Sequence, residues 1–147
     1  LRSVGNFLVT VSPESHIGPF NQALDFLVMD GSSVLAANDG RIVEVIDTFN
    51  EWGDNPEYRS RLNYLTIAHT LPGRQVEFSQ YCHLAQGSVR GFNLKIGSLV
   101  RAGQEIARVG KTGWTDRDHL HFIVFRGEPQ SRINPFGFRS LEIRFIS

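Results

Sequence analysis

The chain has 147 residues, 41% hydrophobic, 20% charged and 11% aromatic, which suits one compact domain burying roughly two thirds of its unfolded surface and excludes disorder. Fifteen Lys and Arg balance fifteen Asp and Glu, so no net field draws the chain to nucleic acid or to an anionic membrane. Any partner must be recognised locally.

Apolar residues recur mostly with period two, the signature of strands. Phe7, Val9 and Val11 predict the first strand. His16 follows in a loop before Gly18-Pro19, and Ala23-Leu24-Asp25-Phe26 then encloses an acid between apolar neighbours, a carboxylate in need of a cation. Turns at Asp30-Gly31-Ser32 and Asn38-Asp39-Gly40 precede a strand in which Val43 and Val45 share a face. Thr48 to Leu62 is polar, contains Gly53 and Pro56, and is long for a connection inside a domain. It reads either as a solvated excursion or as a groove wall that uses Trp52.

Leu65 and Ile67 mark the next strand, with His69 on their face as a structural residue or, alternatively, one turned toward a groove. After Pro72-Gly73 comes Gln80-Tyr81-Cys82-His83-Leu84, where alternation puts Tyr81 and His83 on one face. Turns at Ala102-Gly103 and Gly110-Lys111-Thr112-Gly113 lead to His119-Leu120-His121-Phe122, continued by Ile123 and Phe125. Leu141, Ile143 and Phe145 alternate with Glu142 and Arg144 and predict an edge strand over about 141–146. No window of a dozen residues carries a helical stripe. The expected fold is all-β, a mostly antiparallel, barrel-sandwich-like sheet with an open groove, as a single domain over 1–147.

Cys82 is the single cysteine, so an intrachain disulfide, a thiolate zinc cluster and a Cys-x-x-Cys redox pair are all excluded. No apolar run approaches the roughly 20 residues that span a bilayer. Leu1 to Gly5 lacks the apolar stretch of a secretion signal, as a trimmed or excised chain also would.

His119-Leu120-His121 carries the chemistry most directly. Residues two apart in a strand lie about 6.6 Å apart on one face, so both imidazoles look into one site. One can bind a metal while its neighbour handles a proton; hydrogen-bonded structural histidines are the alternative. Asp25 and His83 add the ligand types that catalytic zinc sites combine.

These residues, in this order, resemble the lysostaphin or LytM-type zinc endopeptidases, which pair an early His-x-x-x-Asp with a middle Tyr-x-His and a late His-x-His. The likeness also takes in Gly31 to Ala37, Asp39 to Val43, Gly97 to Gly110 and Thr112-Gly113, and covers about residues 16–126. It implies the duplicated hybrid motif fold, with Asp25 and His121 as zinc ligands and with His83 and His119 as proton-handling or oxyanion-stabilising groups. It also implies hydrolysis of peptide bonds in peptidoglycan stems or cross-bridges, small residues near the scissile bond, and a place in the cell envelope or outside the cell.

One position departs from the pattern: four before Asp25, where the family has its first histidine ligand, stands Asn21. An amide oxygen is a poor zinc donor, and Asp25 with His121 falls one short of the usual three protein ligands. Either His16 replaces the missing imidazole, or Asn21 binds weakly, or the site is empty and the groove only binds cell-wall peptide or a protein partner. The sequence alone leaves all three open.

Other chemistries lack their residues. Neither a His-Glu-x-x-His helix nor Gly-x-Ser-x-Gly occurs, and Gly110-Lys111-Thr112 lacks the earlier glycine and following helix of a phosphate loop. Ile96 to Val109 resembles a biotinyl or lipoyl carrier hairpin, but Lys111 lacks that signature's flanking Met, and carriage leaves the histidines unexplained.

Overall fold

The computed structural model describes residues 2–4, 7–11, 16–128, 130–131 and 137–145. Its strands are β1 (Arg2–Val4), β2 (Phe7–Thr10), β3 (Leu24–Phe26), β4 (Ser33–Leu35), β5 (Gly40–Ile46), β6 (Trp52–Gly53), β7 (Tyr64–Thr70), β8 (Val76–Cys82), β9 (Leu99–Val100), β10 (Glu105–Arg108), β11 (Gly113–Trp114), β12 (Leu120–Gly127) and β13 (Phe138–Ser140). An antiparallel sheet runs β1-β2-β3-β12-β8-β7-β5-β9, with β13 also paired to β12. The pairs β4–β10 and β6–β11 stand apart from it. The sheet is open rather than a closed barrel, as the alternating sequence predicts.

Because side chains alternate, this sheet has two faces with different work. Phe122, Tyr81 and Leu65 lie on one face in cross-strand register and are buried under Val34, Ile106 and Ala107 of β4–β10 and Val89 of the short helix α1 (Ser88–Gly91). Burying each large apolar side chain there contributes about 1.5–3 kcal/mol. The opposite face carries Asp25, His121, Cys82 and Tyr64 in one row and Gln80, Thr66 and Glu44 in the next. That face is the groove floor.

Three expectations shift in register. Val43 does not share a face with Val45: a β-bulge between Ile42 and Glu44 sends Ile42 and Val45 into the core and leaves Val43 exposed. The C-terminal edge strand forms at Phe138–Ser140, whereas 141–145 run on without strand pairing and residue 146 lies outside the described residues. Its alternation is real, but Leu141 turns back to donate its N–H to the Val124 carbonyl. Thr48 to Leu62 holds β6 and a 3-10 turn at Pro56–Arg61 capped by Asn55. Its far end is fixed by Asn63, fully buried, whose side chain bonds the backbone of Phe49 and Leu84.

His69 is structural. Its Nδ1–H donates to the Asp39 carbonyl (2.7 Å), and its Nε2 accepts from the Ser79 hydroxyl (2.7 Å). Ser79 accepts from the Tyr81 hydroxyl, which accepts from the Ala37 N–H. This chain of bonds ties the Asn38–Gly40 turn to the core face of the sheet. Ser79→Ala leaves His69 Nε2 buried and unpaired and is expected to cost about 1–3 kcal/mol in urea denaturation. Ser88→Ala, which loses a long exposed bond, should stay within about 0.5 kcal/mol.

Candidate metal centre and catalytic groove

Sheet register brings the first two groups together. Asp25 on β3 pairs with His121 on β12, which pairs with Cys82 on β8, so neighbouring strands place all three on the groove floor. The Asp25 carboxylate accepts from His121 Nδ1 at 2.9 Å, and His119 Nε2 lies 3.8 Å from the same oxygen. Cys82 joins the row as a thiol, since burial, then the charges of Asp25 and Glu44, push its pKa up to about 12. In the metal-free chain it is therefore protonated at neutral pH and a poor nucleophile.

His16 arrives from a separate direction. Tight turns, closed by bonds from Phe20 N–H to the Ile17 carbonyl and from Ala23 N–H to the Phe20 carbonyl, fold residues 16–23 back on themselves. Gly18 makes this possible with φ +57°, a left-handed value that costs glycine little. Phe20 then packs edge-on against Phe138, whose other neighbour Phe125 stacks on Phe78. This aromatic wall holds His16 beside the floor, its ring 5.0 Å from that of His121. Asn21 points elsewhere: its side-chain oxygen accepts from the Ser140 hydroxyl (3.0 Å).

His16 is buried, and neither of its ring nitrogens has a hydrogen-bond partner among the described residues. Its Nε2 approaches Asp25 Oδ1 to 3.3 Å without hydrogen-bond alignment. Orphaned buried nitrogens are costly unless something else satisfies them. Ligand atoms of His16, Asp25 and His121 all lie within 4.8 Å of one another. Two imidazole nitrogens and a carboxylate oxygen at such spacing fit a tetrahedral zinc ion, whose ligands sit about 3.3 Å apart. The carboxylate suits a cation too. Burial works against its charge, but the imidazoles of His121 and His16 outweigh burial and hold its pKa well below the usual range.

His83 and His119 share one design. Carbonyls only accept, so His83 Nδ1 carries the proton it donates to the Thr112 carbonyl (2.6 Å), and His119 Nδ1 likewise donates to the Arg117 carbonyl (3.0 Å). In the neutral rings each Nε2 lone pair is left for the groove. The ring centroids are 4.5 Å apart. Burial of its ring, helped by neighbouring His119, pushes the His83 pKa down to about 3, so it stays neutral at pH 7.

Simple alternation fails at this residue. Tyr81 faces the core, whereas His83 adopts φ +67° just beyond β8, and its ring meets His119 and His121 on the groove side. Strain of this kind is held by surrounding bonds, here His83 N–H to the Asn63 carbonyl and Gly110 N–H to the His83 carbonyl. Asn63, Thr112 and Thr115, which set these anchors, escape the sequence reading because backbone acceptors leave no mark on side-chain pattern. Trp52, 47% exposed, pairs in register with Gly113, which sets the Thr48–Leu62 segment beside the Thr112 anchor.

The family model for Peptidase family M23 matches residues 19–135. The chain belongs to peptidase family M23. It is 30% identical over 118 residues to the glycyl-glycine endopeptidase ALE-1 of Staphylococcus capitis, covering 80% of this chain and 26% of that protein. It is 32% identical over 106 residues to the peptidoglycan DD-endopeptidase ShyB of Vibrio cholerae, covering 71% and 20%. A zinc-containing peptidase structure from Vibrio cholerae aligns with a TM-score of 0.51 at 33% identity, over 70% of this chain and 26% of that one. This M23 chain thus spans about a quarter or less of the curated relatives it matches.

The electrostatics give this M23 site a pH signature in the metal-free chain. His83 binds its proton more weakly folded than unfolded, so between about pH 6.5 and 3 the unfolded state holds more protons and stability falls as pH falls. Asp25, with its pKa lowered, contributes stability that is complete above its unfolded value near 3.8 and is lost below it. The urea midpoint of wild type should therefore decline from pH 6.5 downward. His83→Gln should flatten the upper part of that decline and keep the lower part; an unchanged profile contradicts the assignment.

Proposed function

We propose that the chain is a zinc metalloendopeptidase domain that hydrolyses peptide bonds in peptidoglycan stems or cross-bridges. The observation that carries this reading is the convergence of a buried, unpartnered His16 with Asp25 and His121, within reach of two imidazoles pinned to backbone carbonyls. His16, Asp25 and His121 are the proposed ligands, with His16 in place of the imidazole that Asn21 lacks. Zinc bound there supplies Lewis-acid polarisation of the scissile carbonyl and lowers the pKa of the attacking water.

The chain's own groups handle the protons. His119 Nε2 takes the proton of the attacking water, and Asp25 stabilises the resulting imidazolium across 3.8 Å. His119 then returns that proton to the leaving amine nitrogen. His83, held neutral, accepts a hydrogen bond at Nε2 and orients the water or the amine. The names of ALE-1 and ShyB support peptide bonds of the cell wall as substrate, and the glycyl-glycine bond in the name of ALE-1 supports small residues beside the scissile bond. Such a substrate places the domain in the cell envelope or outside the cell. No helix among the described residues is long and apolar enough to cross a membrane.

The alternative is a degenerate module that binds cell-wall peptide without cutting it, favoured only by Asn21. Metal content and hydrolysis of a pentaglycine and a stem peptide decide between them. Wild type should carry about one zinc per chain and lose activity to a chelator that zinc restores. His16→Ala should lose metal and activity, about 10²-fold or more in kcat/KM, while Asn21→Ala keeps both. A wild type that is inactive until Asn21→His is introduced would overturn the His16 assignment in favour of the degenerate module.

A further inference from the structure

Lys111 lies between the two supports of His83. Gly110, before it, donates its N–H to the His83 carbonyl at 2.8 Å. A Cβ added at Gly110 would meet Ala85 Cα at 2.6 Å, so this backbone is pressed against the segment that follows His83. Thr112, after it, accepts the His83 Nδ1–H bond. The Lys111 ammonium leaves this segment and reaches Asp118 at 2.6 Å, the residue immediately before His119. Asp30 stands 3.7 Å from the same nitrogen and donates its N–H to Asp118, and the Trp52 ring lies 5.1 Å away.

We propose that Lys111 is a positioning residue which, through Asp118, sets the separation of the His83 and His119 rings. The inference rests on reading those two histidines as the proton-handling pair. Both rings are oriented by carbonyls of the one segment between β10 and β12, Thr112 near its start for His83 and Arg117 near its end for His119. Their mutual placement therefore depends on what closes that segment on itself. The Lys111–Asp118 pair closes it, and Asp30 and Trp52 stand against the Lys111 ammonium.

Magnitudes separate this role from simple stabilisation. Both side chains are partly exposed, and pairs of that kind contribute little to folding, about 0–1 kcal/mol. Displacing a catalytic group by about 1 Å can cost about 10²-fold in rate. Removal of the pair should thus leave folding nearly intact while slowing turnover, a split that a purely structural salt bridge does not produce.

The test compares wild type, Lys111→Met, Lys111→Arg, Asp118→Asn and the Lys111→Met/Asp118→Asn double variant. It reads zinc content, urea midpoint, kcat and KM on the hydrolysed cell-wall peptide, and imidazole ¹H–¹⁵N spectra of the metal-free chain. Lys111→Met and Asp118→Asn should each lower kcat about 10- to 100-fold with KM, zinc content and midpoint close to wild type. The double variant should be no slower than the worse single one, and Lys111→Arg should restore most of kcat. Retention of wild-type kcat in both single variants, or loss of kcat only in proportion to stability, overturns the proposal. If wild type hydrolyses none of the peptides, the proton-handling reading falls and the spectra alone decide. Altered His83 and His119 Nδ1–H signals in Lys111→Met then support positioning, and unaltered signals overturn it.

Discussion

A carboxylate withdrawn from water on the floor of the groove is the constraint on which the site depends. Asp25 is 9% exposed and lies on a three-residue strand, where burial alone would drive it toward neutrality. Its charge survives because imidazoles approach one of its oxygens from β12 and from the chain before β3. The approach from β12 is not local in sequence: His121 is 96 residues away and is delivered by cross-strand register. A one-residue slip of β3 against β12 would turn Asp25 into the core and Leu24 into the groove. The apolar packing of Leu24, Phe122 and Tyr81 on the other face is thus what holds the chemistry in place.

That division of labour explains why the fold was readable from sequence where the site was only partly so. Alternation in Leu65–Ile67 follows from burial on the core face, whereas Ile123 and Phe125 continue the face of His121 and are covered on the other side of the sheet; both patterns located strands. Alternation failed at Val43, where a bulge inserts an extra residue, and at His83, where a left-handed backbone turns the ring across the sheet. Both departures are backbone events that period-two reasoning cannot contain. At Leu141 to Phe145 the pattern was present without the pairing, because alternation reports a half-buried segment and not its hydrogen bonds.

The histidines show the same limit at the level of chemistry. Side-chain identity made Asp25, His83, His119 and His121 conspicuous, and the structure brings all four to one place. His69, on a strand as well, lies outside the motifs that carry the resemblance and reads first as structural; its closed bonds to Asp39 and Ser79 agree. Sequence did not choose between His16 and Asn21: the turn through Gly18 sets the His16 ring beside His121, whereas the Asn21 side chain bonds Ser140.

Ligand spacing along a chain is therefore a weaker constraint than the volume around the ion. A first imidazole four residues before the carboxylate and one nine residues before it are different motifs on paper. In space they become equivalent when the intervening segment folds into a tight turn, and residues 16–25 do so through Gly18 and the bonds closing on Ile17 and Phe20. Residue 21 lies on the outer side of that turn, where the Asn21 side-chain oxygen accepts from the Ser140 hydroxyl. That turn closes through backbone bonds and Gly18, so residue 16 is set beside His121 without calling on the side chain of residue 21.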